Sequence, residues 1–398
     1  MSDDVTAQYE AFPYPERDPK DETRRLITGS PSLPQEMDHH LWGGARDWSK
    51  PLRFLVAGGG TGDGLVQLCQ MLTSAGRPYQ ATYVDLSVRA REVAEARVAA
   101  RNLQNVRFVT GSLLDAEALG PFDYVDCCGV LHHLPDPDAG FKALARALAP
   151  GGGMGLMVYA PLGRQGVYPL QAAFRALTGG MSPESRLGIA KTVFAHLPDD
   201  HPFHTNRQLV DHKTSDAGFY DLLLHSQDRP FTISEVLQAL ATAGLEFAGV
   251  PEPALYDPAG FLPDATLAAE LSVPEQMQLA ENLRGTLKTH VVYAVAKGAR
   301  IKPPLGQPSA VPRLRGIDPG KLAQSIARTE VLKLSSGGQK RAFPVPKSAS
   351  SVVAMVGGKQ NLGDIRARLG WDQFAFNAAW TPVENALTGY GLLHYSGV

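Results

Sequence analysis

At 398 residues, with 44% hydrophobic residues and a formal net charge of −2, the chain is long enough for two or three packed units. The near-neutral charge gives no bulk electrostatic reason to expect nucleic acid or an anionic membrane as a partner. Because the sequence has no apolar run of about 18 residues and no leader-like start, we expect a soluble, cytoplasmic protein.

Residues 1–50 are polar and rich in proline, yet they contain an aromatic cluster at residues 9–15. Pro13 and Pro15 force extended backbone, so we predict an N-terminal arm rather than a continuous helix. The arm could simply pack its rings on the protein. It could also be a lid, with Tyr9 and Tyr14 placing their hydroxyls over a ligand pocket, and one arm can do both.

From residue 51 onward, strands and helices alternate along the chain. The apolar runs that we predict as strands are residues 54–57, 80–86, 105–110, 122–130, 154–159, 245–250 and 290–296. Alternation of this kind implies an α/β fold, with a doubly wound sheet of seven strands and helices on both faces. Residues 51–298 are predicted to form this domain. Residues 160–230 would be an α-rich insertion after strand 5, near the carboxyl ends of the strands.

The last hundred residues differ in composition from the domain before them. Residues 299–320 are rich in proline, glycine and basic residues, which predicts a linker. Residues 321–398 read as helices followed by a closing strand, which suggests a small winged-helix-like module. Because its cations are not clustered and Asp364 and Glu384 lie on its helices, we favour a docking or dimerisation module over DNA binding. A homodimer is therefore possible.

The sharpest local signal follows the first strand, at Gly58-Gly59-Gly60-Thr61-Gly62, and a helix begins immediately afterward. Glycines at such a turn allow a ligand to approach the backbone, and the free N–H groups of the helix start face it. Taken alone, the stretch fits a nucleotide-type cofactor site or a purely structural turn.

Four separately spaced segments together resemble the class I S-adenosylmethionine-dependent methyltransferases. They are Val56-Ala57-Gly58-Gly59-Gly60-Thr61-Gly62, Val84-Asp85-Leu86-Ser87, Phe122-Asp123-Tyr124-Val125-Asp126 with Leu131-His132-His133-Leu134-Pro135, and Leu148-Ala149-Pro150-Gly151-Gly152. The resemblance covers residues 52–160 and, with the later strands, extends to about residue 298. It implies a methyltransferase whose cofactor is S-adenosyl-L-methionine.

The resemblance also implies which residues contact the cofactor. Asp85 lies about 23 residues past the glycine turn, where an acid can accept both ribose hydroxyls. Ser112 and Leu113 fall where the family contacts adenine, although Ser112 stands where an aspartate is common. The implied cofactor-binding residues are Gly58, Gly60, Thr61, Gly62, Asp85, Leu86, Ser112, Leu113 and Gly129.

The chain departs from the family pattern at one position of the cofactor site. Many members have an acidic residue two positions before the first glycine, where this chain has Val56. That acid usually helps to hold the amino group of the cofactor. We expect Asp63, or the arm with Tyr9 and Tyr14, to compensate for its absence.

Methyl transfer is an in-line displacement that chiefly needs alignment of the acceptor, and a base is needed only where the acceptor must lose a proton. The candidate catalytic residues are His133, which we prefer to His132, together with Tyr14 and the pair Asp221 and His225. At helical spacing the carboxylate of Asp221 could orient the His225 ring. The histidine spacing fits no standard zinc pattern, so we expect no metal.

The nature of the methyl acceptor is the least determined feature. The chain lacks the Asn-Pro-Pro-Tyr type of motif after strand 4, which argues against methylation of DNA adenine or glutamine. The aromatic arm and the C-terminal module are similar to those of bacterial multidomain methyltransferases, some of which modify protein lysines. We therefore favour an N or O nucleophile on a protein or peptide. A small metabolite or natural product is the alternative, and a non-catalytic, cofactor-binding regulatory protein is a third possibility.

Overall fold

The computed structural model describes residues 8–398. Its centre is a seven-stranded sheet in the order β3-β2-β1-β4-β5-β7-β6, in which β7 runs antiparallel to its neighbours β5 and β6. The strands are β1 (Leu52–Ala57), β2 (Tyr79–Asp85), β3 (Val106–Thr110), β4 (Phe122–Cys128), β5 (Leu148–Tyr159), β6 (Leu245–Gly249) and β7 (Thr289–Ala296). The predicted seven-stranded fold is confirmed, and the strand order brings β1 and β4 side by side.

Helices cover both faces of this sheet and build the insertion after β5. Numbered in chain order and leaving out single helical turns, they are α1 (Pro34–Trp42), α2 (Asp63–Ser74), α3 (Val88–Ala100), α4 (Pro137–Arg146), α5 (Val167–Thr178), α6 (Pro183–Phe194), α7 (Asp216–Leu224), α8 (Ile233–Thr242) and α9 (Val273–Arg284). Because side chains alternate along a strand, β1 contributes to two cores. Leu55 and Ala57 pack in one core, while Phe54 and Val56 pack in the other.

The fifth strand begins at Leu148 rather than at residue 154, and the preceding helix ends at Arg146. Pairing with β4 starts at Leu148, shifts register, and resumes at Gly153. The glycine run at residues 151–153 is therefore an irregular part of the strand. The insertion consists of α5, α6 and α7 with a small core of its own, on which Phe12 of the arm packs.

The C-terminal part of the chain has a separate core centred on Trp380. Its elements are β8 (Pro312–Leu314), α10 (Pro319–Thr329), β9 (Val331–Ser336), β10 (Gln339–Pro344), α11 (Ala349–Val353), α12 (Leu362–Leu369), α13 (Gln373–Gly389) and β11 (Leu393–Tyr395). Strand β8 lies inside the predicted linker, where it pairs with β11, and the hairpin of β9 and β10 was not predicted. A winged-helix arrangement is not confirmed. The domain boundaries and the docking role stay predictions.

Polar contacts attach this C-terminal part to α1 of the domain. Arg315 forms an ion pair of 2.7 Å with the buried carboxylate of Glu36. The Ser396 hydroxyl donates to Asp38 at 2.8 Å, and the backbone N–H of Tyr395 donates to the His39 ring at 3.0 Å. Within residues 8–398, no helix combines the length and the apolar character needed to cross a membrane.

Candidate cofactor and acceptor site

A cavity of about 690 Å³ opens at the carboxyl ends of the parallel strands. The sheet contributes the ends of β1, β2, β4 and β5, which is where ligands bind in open α/β sheets. The arm contributes Tyr9, Tyr14 and the segment 27–30, while the insertion contributes Asp211 and Asp221. Three parts of the chain that are far apart in sequence thus enclose one space.

The glycine turn after β1 is shaped by close approach of other groups. Gly60 has a φ of +50°, and a Cβ there would lie 2.9 Å from the carbonyl oxygen of Tyr14. At Gly58, with a φ of +68°, a Cβ would lie 2.6 Å from the side chain of Val130. Larger residues would therefore be strained and would also push the arm or the β4 loop away. The glycines leave backbone open to the cavity.

Asp85 closes the glycine turn from the end of β2. Its Oδ2 accepts the backbone N–H of Gly60 at 2.8 Å, and its Oδ1 accepts the N–H of Ser87 at 2.9 Å. Burial raises the pKa of Asp85, and these backbone hydrogen bonds oppose that rise. The cap of α3 is Ser87, whose hydroxyl accepts the N–H of Ala90. Asp85 is therefore a cavity carboxylate and not the helix cap.

The remaining residues implied for the cofactor fall into two groups. Those that line the cavity are Gly58, Gly60, Asp85, Leu86, Leu113 and Gly129. The other three do not line it. The Thr61 hydroxyl donates to the carbonyl of Pro15 at 2.6 Å, Gly62 precedes the first turn of α2, and the Ser112 hydroxyl accepts the N–H of Leu114 at 3.1 Å. The structure gives these three a local role in shaping the turn or the arm.

A buried network of charges fixes the arm to α2 and α3. Arg97 is fully buried and pairs with Glu22 of the arm and with Asp63, both at 2.7 Å. Arg17 adds a second ion pair to Asp63 at 2.6 Å. Burial alone would raise the pKa of Asp63, but the hydrogen bonds and charges of Arg17 and Arg97 hold it below its usual value. Asp63 is thus already paired with two guanidinium groups.

Asp126 on β4 is a cavity residue that the sequence interpretation missed. Its carboxylate is 1% exposed, and its Oδ2 accepts the hydroxyls of Ser30 and Ser32. Its Oδ1 has no hydrogen-bond partner among the residues that the structure describes. Burial raises the pKa of Asp126 to about 6, against the lowering effect of the two serine hydroxyls. The available signal was a second acidic residue, besides Asp123, in a strand whose other residues are apolar.

At the insertion side of the cavity, Asp221 and His225 do not form the direct pair that their spacing suggested. The Tyr9 hydroxyl lies between them, 3.3 Å from Asp221 Oδ1 and 3.1 Å from His225 Nε2. His225 Nδ1 accepts the backbone N–H of Gln227, so in the neutral ring Nε2 carries the proton and donates to Tyr9. Tyr9 can then donate to Asp221, which also accepts the hydroxyl of Tyr159 at 3.2 Å.

The two adjacent histidines after β4 have different positions. His132 is completely buried, with its ring centroid 3.9 Å from that of Tyr159, and it does not line the cavity. His133 lines the cavity, and its Nδ1 lies 2.8 Å from the carbonyl oxygen of Gln227, to which it donates. That bond leaves Nε2 of the neutral ring as a proton acceptor. The ring of His133 stacks on His225 with centroids 3.7 Å apart.

Tyr14 also lines the cavity, and burial raises the pKa of its hydroxyl above the usual value, so it stays protonated near neutral pH. His133, Asp221 and His225 could each offer one ligand atom, all within 4.8 Å of one another, to a metal ion. A cation held by His225 Nε2 would have to replace the bond to Tyr9. The hydrogen-bonded arrangement needs no metal to account for it.

Comparison with known proteins agrees with this geometry. Residues 55–154, which contain the glycine turn, Asp85 and the β4 loop, match the family described as "Methyltransferase domain". The chain carries a class I, S-adenosylmethionine-dependent methyltransferase domain. An uncharacterised protein of Synechococcus sp. is 30% identical over 266 residues, which are 64% of this chain and 61% of that relative. The chain thus spans less than two thirds of this curated relative.

Two further similarities concern different portions of the chain. A ubiquinone biosynthesis O-methyltransferase of Xanthomonas oryzae pv. oryzae is 39% identical over 74 residues, which are 18% of this chain and 31% of that enzyme. The structure of PKMT2 from Rickettsia typhi aligns with a TM-score of 0.65 at 17% identity, covering 94% of this chain and 78% of the other. PKMT2 has also been solved in complex with AdoHcy, with a TM-score of 0.64 to this chain at 15% identity. The likeness to PKMT2 is one of fold.

The residues around the cavity fit S-adenosylmethionine. The glycines leave room for the parts of the cofactor that contact backbone, and Asp85 lines the cavity with a carboxylate that could accept ribose hydroxyls. The unpartnered Oδ1 of Asp126 offers a buried acceptor for a charged donor. Leu113 and Leu86 supply the apolar walls that an adenine ring needs.

Proposed function

We propose that the whole chain is a methyltransferase acting on an N or O nucleophile of a protein or peptide. The observation that carries this proposal is the insertion side of the cavity, where Tyr9, Tyr14 and Tyr159 surround the buried carboxylate of Asp221. Aromatic rings around a carboxylate suit a narrow side chain that ends in an amine or a hydroxyl. His133 stands beside them with a nitrogen that can accept a proton.

Bound S-adenosylmethionine supplies an electrophilic methyl group on a sulfonium. The chain's own residues would align the acceptor with it and exclude water. Asp221 would orient the acceptor, because its position is fixed by hydroxyls of Tyr9 and Tyr159. Nε2 of His133 would take the proton that an amine or hydroxyl loses. Neutral His225 would hold Tyr9 in place rather than act as the base, because its burial lowers the pKa of its ring well below the usual value.

The preference for a protein or peptide as the methyl acceptor rests on the parts of the chain outside the sheet. The C-terminal part adds a separate packed core beside the domain, and the fold likeness to PKMT2 extends over 94% of this chain. The identity to the ubiquinone O-methyltransferase is confined to 74 residues. A small metabolite or natural product is the second candidate, because that enzyme's printed name gives it a role in ubiquinone biosynthesis.

The test is transfer of a labelled methyl group from S-adenosylmethionine into a cell lysate, with protein and small-molecule fractions counted separately. We expect label in protein, which peptide mass spectrometry would then assign to a side chain. Label in small molecules alone would overturn the protein acceptor. Label in neither fraction would favour a regulatory protein that binds the cofactor without turnover.

Two variants serve as controls for this experiment. Asp85→Ala removes a cavity carboxylate and should abolish the labelling. Asp115→Ala removes an exposed carboxylate that does not line the cavity and should label as the wild type does. Labelling at the wild-type level in Asp85→Ala would point either to a contaminating enzyme or to a cofactor site that does not depend on Asp85.

A further inference from the structure

The register of β1 and β4 places Val56, where the chain departs from the family pattern, beside Asp126, a buried acid that is not among the predicted cofactor-binding residues. In the parallel pairing of the two strands, Val56 lies opposite Asp126. Both residues line the cavity, directly below the glycine turn. The acid that is missing from β1 is therefore matched by an acid on the neighbouring strand, at the same level of the sheet.

Asp126 lacks the cationic partner that would stabilise a buried carboxylate. No ion pair reaches it from residues 8–398. The titratable groups that sense its charge are Tyr124, Cys127, Cys128 and Tyr293, and burial raises the pKa of each, so all are neutral near pH 7. A buried carboxylate without a cation is costly. A cation supplied by a ligand would remove that cost.

Neighbouring residues hold the carboxylate in one orientation. The hydroxyls of Ser30 and Ser32 donate to Oδ2, which leaves Oδ1 as the free oxygen. The serine segment is itself fixed, because Gln67 of α2 accepts the N–H groups of Gly29 and Ser30 at 2.8 and 3.2 Å. Oδ1 is therefore held in a fixed position without a partner, in the buried wall of the cavity.

We propose that Asp126 binds the ammonium group of the amino-acid tail of S-adenosylmethionine, in place of the acid that many class I enzymes carry at the position of Val56. This inference rests on the proposed function, since it presumes that cofactor. It replaces the expectation that Asp63 compensates, because Asp63 is paired with Arg17 and Arg97. Asp126 acts here as a binding residue and not as a base.

The test compares two ligands by calorimetry at pH 7.5: S-adenosylhomocysteine and its analogue in which hydrogen replaces the α-amino group. We expect the wild type to bind the analogue at least tenfold more weakly. Asp126→Asn keeps the shape and the serine hydrogen bonds, and we expect it to distinguish the two ligands by less than threefold. If it keeps the wild-type ratio, Asp126 does not bind the ammonium.

Other outcomes separate this inference from the proposed function. If the wild type binds neither ligand, the cofactor assignment itself fails, and the inference fails with it. If the wild type binds both ligands equally, only the inference fails. A double variant, Val56→Asp with Asp126→Asn, returns the acid to β1 and should regain discrimination.

The wild type alone supplies a measurement that does not depend on any variant folding. Its preference for the amine-bearing ligand should fall as pH drops through about 6, where Asp126 takes up a proton. A preference that is constant between pH 5 and pH 8 would overturn the inference.

Discussion

Replacing Asp126 by Asn should stabilise the unliganded protein at neutral pH while it weakens cofactor binding. The folded-state pKa of Asp126 is raised by burial from 3.8 to about 6. A raised pKa means that the folded protein favours the protonated carboxyl. The contribution of Asp126 to the free energy of unfolding is therefore fully present below pH 3.8 and is lost as pH rises through about 6.

The size of the effect follows from the two pKa values. A difference of about two pH units corresponds to about 3 kcal/mol in the free energy of unfolding. Asn cannot ionise, and its amide oxygen can still accept the hydroxyls of Ser30 and Ser32. The gain in the free energy of unfolding over the wild type should be small near pH 4 and should approach about 3 kcal/mol above pH 7.

Urea titrations of both proteins between pH 4.5 and pH 7.5, without ligand, would measure this difference. Asp115→Asn is the matched control, because Asp115 is exposed, and its difference from the wild type should not follow this pH profile. A difference between Asp126→Asn and the wild type that does not change with pH would refute the reasoning. A variant less stable than the wild type at pH 7.5 would refute it as well.

Three further predictions concern the rest of the site. Asp85→Ala should weaken S-adenosylhomocysteine binding at least tenfold in calorimetry, with Asp115→Ala unchanged, and an unaltered affinity would remove Asp85 from the site. Arg97→Met should lower the free energy of unfolding in urea by about 3 kcal/mol, because it removes the fully buried guanidinium that pairs with both Glu22 and Asp63. Arg91→Met removes a more exposed ion pair and should lower the free energy of unfolding by about 0.5 kcal/mol. Equal losses in the two variants would contradict a special role of the buried Arg97 network. His133→Ala should slow methyl transfer roughly 100-fold or more with cofactor affinity kept within threefold, so full turnover would exclude His133 as the base.

Local sequence was enough for the central sheet and for much of the cofactor end of the cavity. Apolar runs separated by helices predicted the strands, since each strand is specified by its own neighbours. The glycine turn and Asp85 are likewise set by short spacing within one strand-turn-helix unit. Where the interpretation failed locally, as at the start of β5, a glycine-rich stretch was paired in the sheet despite its composition.

The acceptor side depends on contacts that local sequence does not encode. Tyr9 meets His225 across 216 positions of sequence, and helical spacing alone suggested a direct bond between Asp221 and His225 instead. His132 and His133 are neighbours in sequence and both are buried, yet His133 lines the cavity and His132 does not.

The acid that is missing from β1 shows the same division between what local sequence determines and what tertiary structure determines. The sequence by itself determined that Val56 departs from the family pattern, because the glycines fix its place in the motif. Only the pairing of β1 with β4 decided that Asp126 lies beside it, since strand register depends on how the whole sheet packs. Only the fold of the arm brought Ser30 and Ser32 to the same carboxylate.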